Sequence, residues 1–125
     1  DIFETYKINK KKINLKLDID NLVLDVENVM AIGLILNELI TNIIKHAFVA
    51  ENNLNEIKIN FKNKKEYIEL IVKDNGVGFA IQEIEEKSFG IKLIKSLAKK
   101  LKAETQFNTT NGTEVKMKIY NYKTV

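Results

Sequence analysis

Four stretches of the chain alternate apolar and polar residues with period two. Leu15, Leu17 and Ile19 alternate with Asn14, Lys16 and Asp18. Ile57, Ile59 and Phe61 alternate with Lys58, Asn60 and Lys62. Ile68, Leu70 and Val72 alternate with Glu69 and Lys73, with Ile71 interrupting the polar side. Val115, Met117 and Ile119 alternate with Glu114, Lys116 and Lys118. Successive side chains of a strand point to opposite faces, so each stretch predicts a strand with one buried and one wet face. A sheet built from them is covered on one side only. "NKKE" (63–66) and "TNGT" (110–113) fall between strand runs, and Asn111-Gly112 is a strong tight-turn signal.

Two stretches follow the helical period instead. One runs from about Val29 to Phe48. The other runs from about Phe89 to Lys102, with Ser88 placed to cap it; Ile91, Ile94, Ala98 and Leu101 form its apolar stripe and lysines its other face. "IQEIEEK" (81–87) has the composition of a short helical turn. The order is strand, helix, two strands, loop, helix, two strands. That order predicts an α+β fold: a two-layer α/β sandwich with a mixed, mostly antiparallel sheet and helices on one face.

Composition narrows the class. A chain of 125 residues is sized for one domain with one core. Apolar residues make up 45% and charged residues 30%, the proportions of an ordinary globular protein. No uninterrupted apolar run approaches the roughly 18 residues of a membrane span, and no signal-peptide pattern opens the chain. Cysteine is absent, which excludes disulfides and thiolate metal sites and fits a cytosolic, hence cytoplasmic, domain. A net charge of +3 is too small to argue for nucleic acid as a partner. The chain opens on Asp1, mid-pattern, with "DIFETY", and reads as a piece of a longer protein.

The first helix carries polar residues in an unexpected place. At about 100° per residue, Leu36, Leu39, Ile40, Ile43 and Ala47 fall in one arc, the expected core side. Glu38, Asn42 and Lys45 fall within about 60° of one another on the opposite side, with Thr41 beside them. Leu34 and Ile35 lie in the same arc one turn earlier, so this side is not simply wet. A carboxylate, an amide and an ammonium at successive turns suit a metal–phosphate group. "KDNGVGFA" (73–80) poses a second question: it ends a buried strand with an acid and two glycines. Such a stretch is either a tight turn or a place where the backbone lets a large group come close.

"NELITNIIKHAF" resembles the N box of the Bergerat-fold ATPases, the superfamily of gyrase, mismatch-repair and chaperone ATPases and histidine kinases. "DNGVGF" resembles their first glycine box, "SFGIKLIKSLAKKLKAE" the second glycine box and its helix, and "NGTEVKMKI" the closing Gly-Thr motif and strand. Each motif alone is weak; four in order, on the expected elements, are specific. The match runs from about Leu15 onward. The N-box form and the short segment between the glycine boxes, Ala80 to Lys87, are most similar to the catalytic domain of short-lid sensor histidine kinases.

The resemblance implies a role for each matching residue. Asp74 accepts from the adenine amine, and Thr113 supports that contact. Gly76 and Gly78 allow the nucleotide close to the backbone, and Phe79 lines the pocket or packs beside it. Asn42 ligates Mg²⁺ through its side-chain oxygen, and Lys45 contacts phosphate. Glu38 is the catalytic candidate; it polarises the attacking group or holds a metal-bound water, and the sequence does not choose. His46 lines the pocket or acts behind it. Gly90, followed by Ile91, opens the second helix at a phosphate-binding N-terminus. The family's first glycine there is replaced by Ser88, which weakens the cradle.

By the same resemblance, residues 13–125 form the ATP-binding domain and residues 1–12 the tail of the connection from a dimerisation and phosphoacceptor region. The expected ligands are ATP and Mg²⁺. The expected partners are that region and a downstream response regulator, with the fragment a monomer and the intact protein a homodimer. The alternatives on the same fold are an anti-sigma-type serine kinase and a module in which ATP gates binding without being consumed.

Overall fold

The computed structural model describes residues 13–47, 55–77, 89–109 and 111–124. Five strands, β1 (Asn14–Ile19), β2 (Glu56–Asn63), β3 (Ile68–Asp74), β4 (Ala103–Asn108) and β5 (Glu114–Ile119), form one sheet in the order β1-β2-β3-β5-β4. β1 runs parallel to β2, and every other pairing is antiparallel. Helix α1 (Val26–Asn42) continues into a π-helical turn, Ile43–Ala47, and helix α2 is Phe89–Lys100. The sheet is mixed and mostly antiparallel, and the class is α+β, as the alternation and its order predict.

The period-two pattern sets the layers. Ile57, Ile59, Leu70, Val72, Met117 and Ile119 are buried, and the strand register puts them on one face, where the helices pack. The other face carries the alternating charges and joins neighbouring strands by ion pairs, Lys16–Glu56 at 3.2 Å and Lys116–Glu69 at 3.5 Å. Such exposed pairs contribute at most about 1 kcal/mol each, so the fold rests on the apolar face.

Both helix boundaries differ from the sequence expectation for local reasons. α1 starts three residues earlier because Asp25, in an extended conformation, caps it by accepting from the Asn28 amide at 3.0 Å. α2 stops two residues earlier because Lys102 turns into the left-handed region, φ 48°, as helix C-termini commonly do. By length and hydropathy alone the 20-residue stretch Val26–Lys45 would suffice to cross a membrane, with a mean hydropathy of 1.3 over its most apolar 18 residues, a feature hidden from a count of uninterrupted apolar runs. Ile32, Ile35, Leu39 and Ile40 on it are buried in the protein's own core, which accounts for that apolarity.

The segment after β5 fixes which way both helices run. The Asn28 side chain accepts from the Lys123 amide (2.9 Å) and donates to the Asn121 carbonyl, tying the start of α1 to this segment. The Asn121 side chain donates to the Lys100 carbonyl (3.0 Å) and its amide to the Leu101 carbonyl (2.9 Å), so the same segment satisfies the end of α2. The start of α1 and the end of α2 therefore lie where β5 ends. A 17-residue helix is about 25 Å long, so α1 carries its C-terminal turn toward the opposite end of the sheet. There β5 begins, β3 ends, and the N-terminus of α2 also arrives.

Candidate functional site

Asp74 is the last residue of β3, and its side chain is only 1% exposed. It sits there because the alternation of Ile68, Leu70 and Val72 continues one step too far and turns a carboxylate into the core face. One oxygen, Oδ1, accepts from the Gly76 amide at 2.7 Å and from the Thr113 amide at 3.4 Å. The Asp74 amide donates to the Thr113 carbonyl at 3.0 Å, binding the end of β3 to the start of β5. The other oxygen, Oδ2, is buried and has no hydrogen-bond partner among the described residues. Burial pushes the Asp74 carboxyl above the usual carboxylate range, against the lowering effect of the Gly76 and Thr113 amides.

Gly112 makes this geometry possible. Its φ is +98°, and a Cβ placed on it would lie 2.2 Å from the Asp74 carbonyl oxygen and 3.2 Å from Oδ1. Asn111 is also left-handed, φ 57°, so the pair forms the turn predicted for it. The sequence marked the turn but not its second task, which is to let the hairpin backbone cross directly over Asp74. Opposite, Asn75 exchanges hydrogen bonds with Glu56: its amide donates to the Glu56 carbonyl, and its Oδ1 accepts from the Glu56 amide at 2.8 Å. The turn after β3 is thereby held on both sides.

Asn42 requires a correction to the helical-wheel reading. It is buried (6% exposed), and so is Ile35, seven residues earlier on the same line of the helix. The stripe is not a face opposite the core; Asn42 lies within the buried arc, with Glu38 half-buried and Lys45 exposed at its rim. The reason is that α1 packs on the sheet and on α2 together, which widens its buried arc. The Asn42 amide nitrogen is buried without a partner among the described residues, and so is the Thr113 hydroxyl. Leaving a buried polar group unpaired costs about 1–3 kcal/mol. Asn55 and Thr105 also carry such an atom among the described residues, but those of Asp74 and Thr113 belong to residues already bonded to each other, and with Asn42 they fall on three of the positions marked by the motifs.

The other sequence candidates fall as follows. Gly76 is half-buried and donates to Asp74. Gly90 is buried in the first turn of α2, and Ile91 beside it, 2% exposed, belongs to the hydrophobic core. His46 lies in the π-helical turn, a local widening that often accompanies functional sites. Gly78, Phe79 and Ser88 lie outside the described residues, as does the 81–87 segment. Gly112 and Asn75 are the site residues whose roles sequence reasoning missed.

Comparison with known proteins follows this geometry. Residues 18–119 match the family model described as a histidine kinase-like ATPase domain. A search of curated protein sequences gave no match. Among solved structures, the histidine kinase domain of the blue-light-activated histidine kinase of Erythrobacter litoralis superposes with a TM-score of 0.83 at 22% identity, over 96% of this chain and 57% of that one. The Acinetobacter baumannii histidine kinase AdeS gives 0.74 at 19% identity, over 96% and 61%. The mycobacterial sensor histidine kinase MprB gives 0.73 at 12% identity, over 99% and 91%. At these identities the likeness carries the fold, which is the Bergerat fold anticipated from the four motifs. The chain spans 57% of the first of these structures and 42% of a second one from the same Erythrobacter protein.

Two outcomes follow. Gly112→Ala forces a Cβ into the Asp74 backbone at a φ that L side chains avoid, so it should destabilise the domain by about 1–3 kcal/mol. Gly33→Ala, with nothing within 4 Å of the added Cβ, should stabilise by up to about 1 kcal/mol. Urea midpoints compare them, and equal stability of Gly112→Ala and wild type would refute the crossing. The second outcome concerns pH. An acid with a raised folded-state pKa binds its proton more tightly when folded, so its contribution is full below its unfolded value, about 4. That contribution is lost as pH rises through the folded value. The stability of wild type minus that of Asp74→Asn should therefore fall as pH rises from about 4. Asp20 and Glu56, lowered by the Asn63 amide and by Lys16 respectively, are common to both proteins and cancel. A pH-independent difference would contradict the buried, desolvated carboxylate.

Proposed function

The chain belongs to the histidine kinase-like ATPase domain family, and from that premise we propose that it is the ATP-binding catalytic domain of a two-component sensor histidine kinase, passing the γ-phosphoryl group of Mg·ATP to a histidine on a separate dimerisation domain. The observation that carries this reading is the half-used carboxylate of Asp74. One oxygen is saturated by backbone amides; the other is buried and open. An unpaired acceptor in a dry cleft recognises a donor such as the exocyclic amine of adenine, and rejects a base with an acceptor in that place.

The remaining residues divide the phosphate end between them. Turning the Asn42 amide over about its terminal bond puts its carbonyl oxygen where the unpartnered nitrogen now sits, a hard ligand suited to Mg²⁺. Glu38, one turn earlier, is half-buried, and in this reading it holds a metal-bound water or polarises the attacking nucleophile. Lys45 is exposed beside it, free to follow the phosphates. Gly90 leaves the first turn of α2 without a side chain where backbone N–H groups favour anions. Phosphoryl transfer asks mainly for positioning and charge neutralisation, and these groups supply both. Mg²⁺, when bound, neutralises charge on the leaving phosphates.

The single histidine, His46, follows directly on α1 beside the phosphate-side residues. A residue of the same helix that would hold the γ-phosphate is badly placed for in-line attack on it. The acceptor histidine therefore belongs to the dimerisation region, whose phosphorylated form would supply a response regulator. The domain acts in the cytoplasm, where ATP is available.

Two measurements test this reading. Asn42→Ala should weaken ATP binding in Mg²⁺ by roughly tenfold or more, the scale of one lost charge-assisted contact, and leave metal-free binding nearly unchanged; equal losses in both conditions would make Asn42 structural only. Incubated with γ-labelled ATP and Mg²⁺, the fragment should remain unlabelled on histidine, and adding the cognate dimerisation region should yield acid-labile, base-stable label on that region. Label on His46 would overturn the assignment, and label on serine of an added partner would favour the anti-sigma type of kinase.

A further inference from the structure

The sheet ends on an open strand. β1 lies at its margin, paired on one side with β2, and no strand among the described residues lies on the other side. The Asn14 amide donates to the Asn55 carbonyl and the Asp20 amide to the Phe61 carbonyl, both at 2.8 Å. Even-numbered residues of β1 therefore turn their backbone groups toward β2, and Leu15, Leu17 and Ile19 turn theirs to the open side. Leu17 and Ile19 are 56% and 55% exposed, although they share a face with their register partners, buried Ile59 and core-packed Phe61. Such an edge is a template for another strand, and proteins commonly blunt it with proline, a bulge or charged side chains. β1 has no proline, and its register with β2 is unbroken from Asn14 to Ile19. Its two charges, Lys16 and Asp18, are of opposite sign and two residues apart.

We propose that β1 pairs antiparallel with β1 of a second copy of this chain, about a two-fold axis through Leu17. In this register Leu17 meets Leu17 of the second copy, and Leu15 meets its Ile19. All three residues turn their backbone groups outward, so each of these pairs is of the kind that exchanges both N–H···O bonds. Facing residues share a face of the sheet, so Leu15, Leu17 and Ile19 of the two copies form one apolar row. Leu15 of the second copy comes to lie beside Ile19, which lines an apolar groove of about 280 Å³ with Val29 of α1 and Ile59 of β2. On the other face Lys16 meets Asp18 of the second copy, and Asp18 meets its Lys16, in the closer pairs without backbone bonds. Within one chain Lys16 already holds Glu56 at 3.2 Å, and Asp18 pairs with Lys62. Charges of alternating sign, Glu56, Lys16, Asp18 and Lys62, thus cross the junction twice. An axis at Lys16 or Asp18 would set that residue against itself, and one at Ile19 would set Asp18 against Asp20, like against like. An axis at Leu15 would set Lys16 against uncharged Asn14. A two-fold contact needs a self-complementary surface, and β1 has one in backbone phase, in face and in charge. The opposite edge, β4, carries a single charged residue, Glu104, and offers no such match. The resemblance implies a monomeric fragment, and β1 departs from that expectation. The contact lies two strands from Asp74 and is independent of the nucleotide-binding reading.

Sedimentation of the full chain over a concentration series should show a monomer–dimer equilibrium. The side chains of Lys16 and Asp18 are 64% and 63% exposed, so both can be replaced without disturbing the core. Lys16→Asp and Asp18→Lys each make the facing charges alike, and each alone should weaken the dimer by roughly tenfold or more. The two variants mixed should associate as wild type does, because each supplies the charge that the other lacks. The absence of cysteine allows a second readout. Facing residues of a bonded pair have Cα atoms about 5.5 Å apart, within disulfide reach, so Leu17→Cys should oxidise to a covalent dimer. Glu104→Cys, on the opposite edge, should not. Wild type that stays monomeric up to about 1 mM would overturn the proposal and leave the edge to a different partner. A dimer that neither variant weakens, a mixture no tighter than either variant alone, or equal cross-linking at both cysteines would overturn it as well.

Discussion

A carboxylate buried at the end of a central strand is the constraint on which this domain is organised. Burying an ionisable group without an ionic partner is unfavourable, and Asp74 is compensated only halfway, by two backbone amides on one oxygen. Those two donors come from different parts of the chain, Gly76 just beyond β3 and Thr113 at the mouth of β5. Holding the acid therefore fixes the end of β3, the hairpin before β5 and the turn between Asn75 and Glu56 together. The backbone of that hairpin can pass so close only because residue 112 has no side chain. The cost left over, an open acceptor in a dry place, is what a ligand would relieve.

The rest of the architecture brings the residues proposed to face the phosphates to the same end. Capping by Asp25 and the Asn28 tether start α1 at the far edge, and Asn121 ends α2 there. The two helices consequently run in opposite senses, and the C-terminal turns of one and the first turn of the other flank Asp74. Stability and proposed function are separated along the same elements: the apolar stretches of β2, β3 and β5 hold the core, and their polar ends bear the proposed site.

Much of this is legible in the sequence because alternation is a geometric signal. The strand faces, the Asn111-Gly112 turn and the order of elements follow from periods of 2 and 3.6 alone. Motif order supplied the family. The burial of Asn42 was not legible, since a wheel ranks residues by neighbours on one helix and cannot see that α1 packs on two surfaces at once. Gly112 appeared as a turn residue because its close contact is with Asp74, 38 positions away in the chain. The start of α1 was hidden because Asp25 caps through a side-chain bond three residues on, ahead of the clear hydrophobic period. Ile35 appeared to argue against a plain polar face, and that was right, for a reason visible only in the packing.

The account stands on Asp74 Oδ2 receiving the amine of a bound adenine. Calorimetry with ATP and with the analogue that carries hydrogen in place of the 6-amino group measures this contact in isolation, in wild type and in Asp74→Asn. A hydrogen bond to a charged acceptor contributes about 1.5–3 kcal/mol, so the amine should improve wild-type affinity by roughly ten- to a hundredfold. The variant should bind both nucleotides weakly and without distinction. Equal affinity of the wild-type domain for the two nucleotides would contradict the account, because the open oxygen would then have no part in recognising the base.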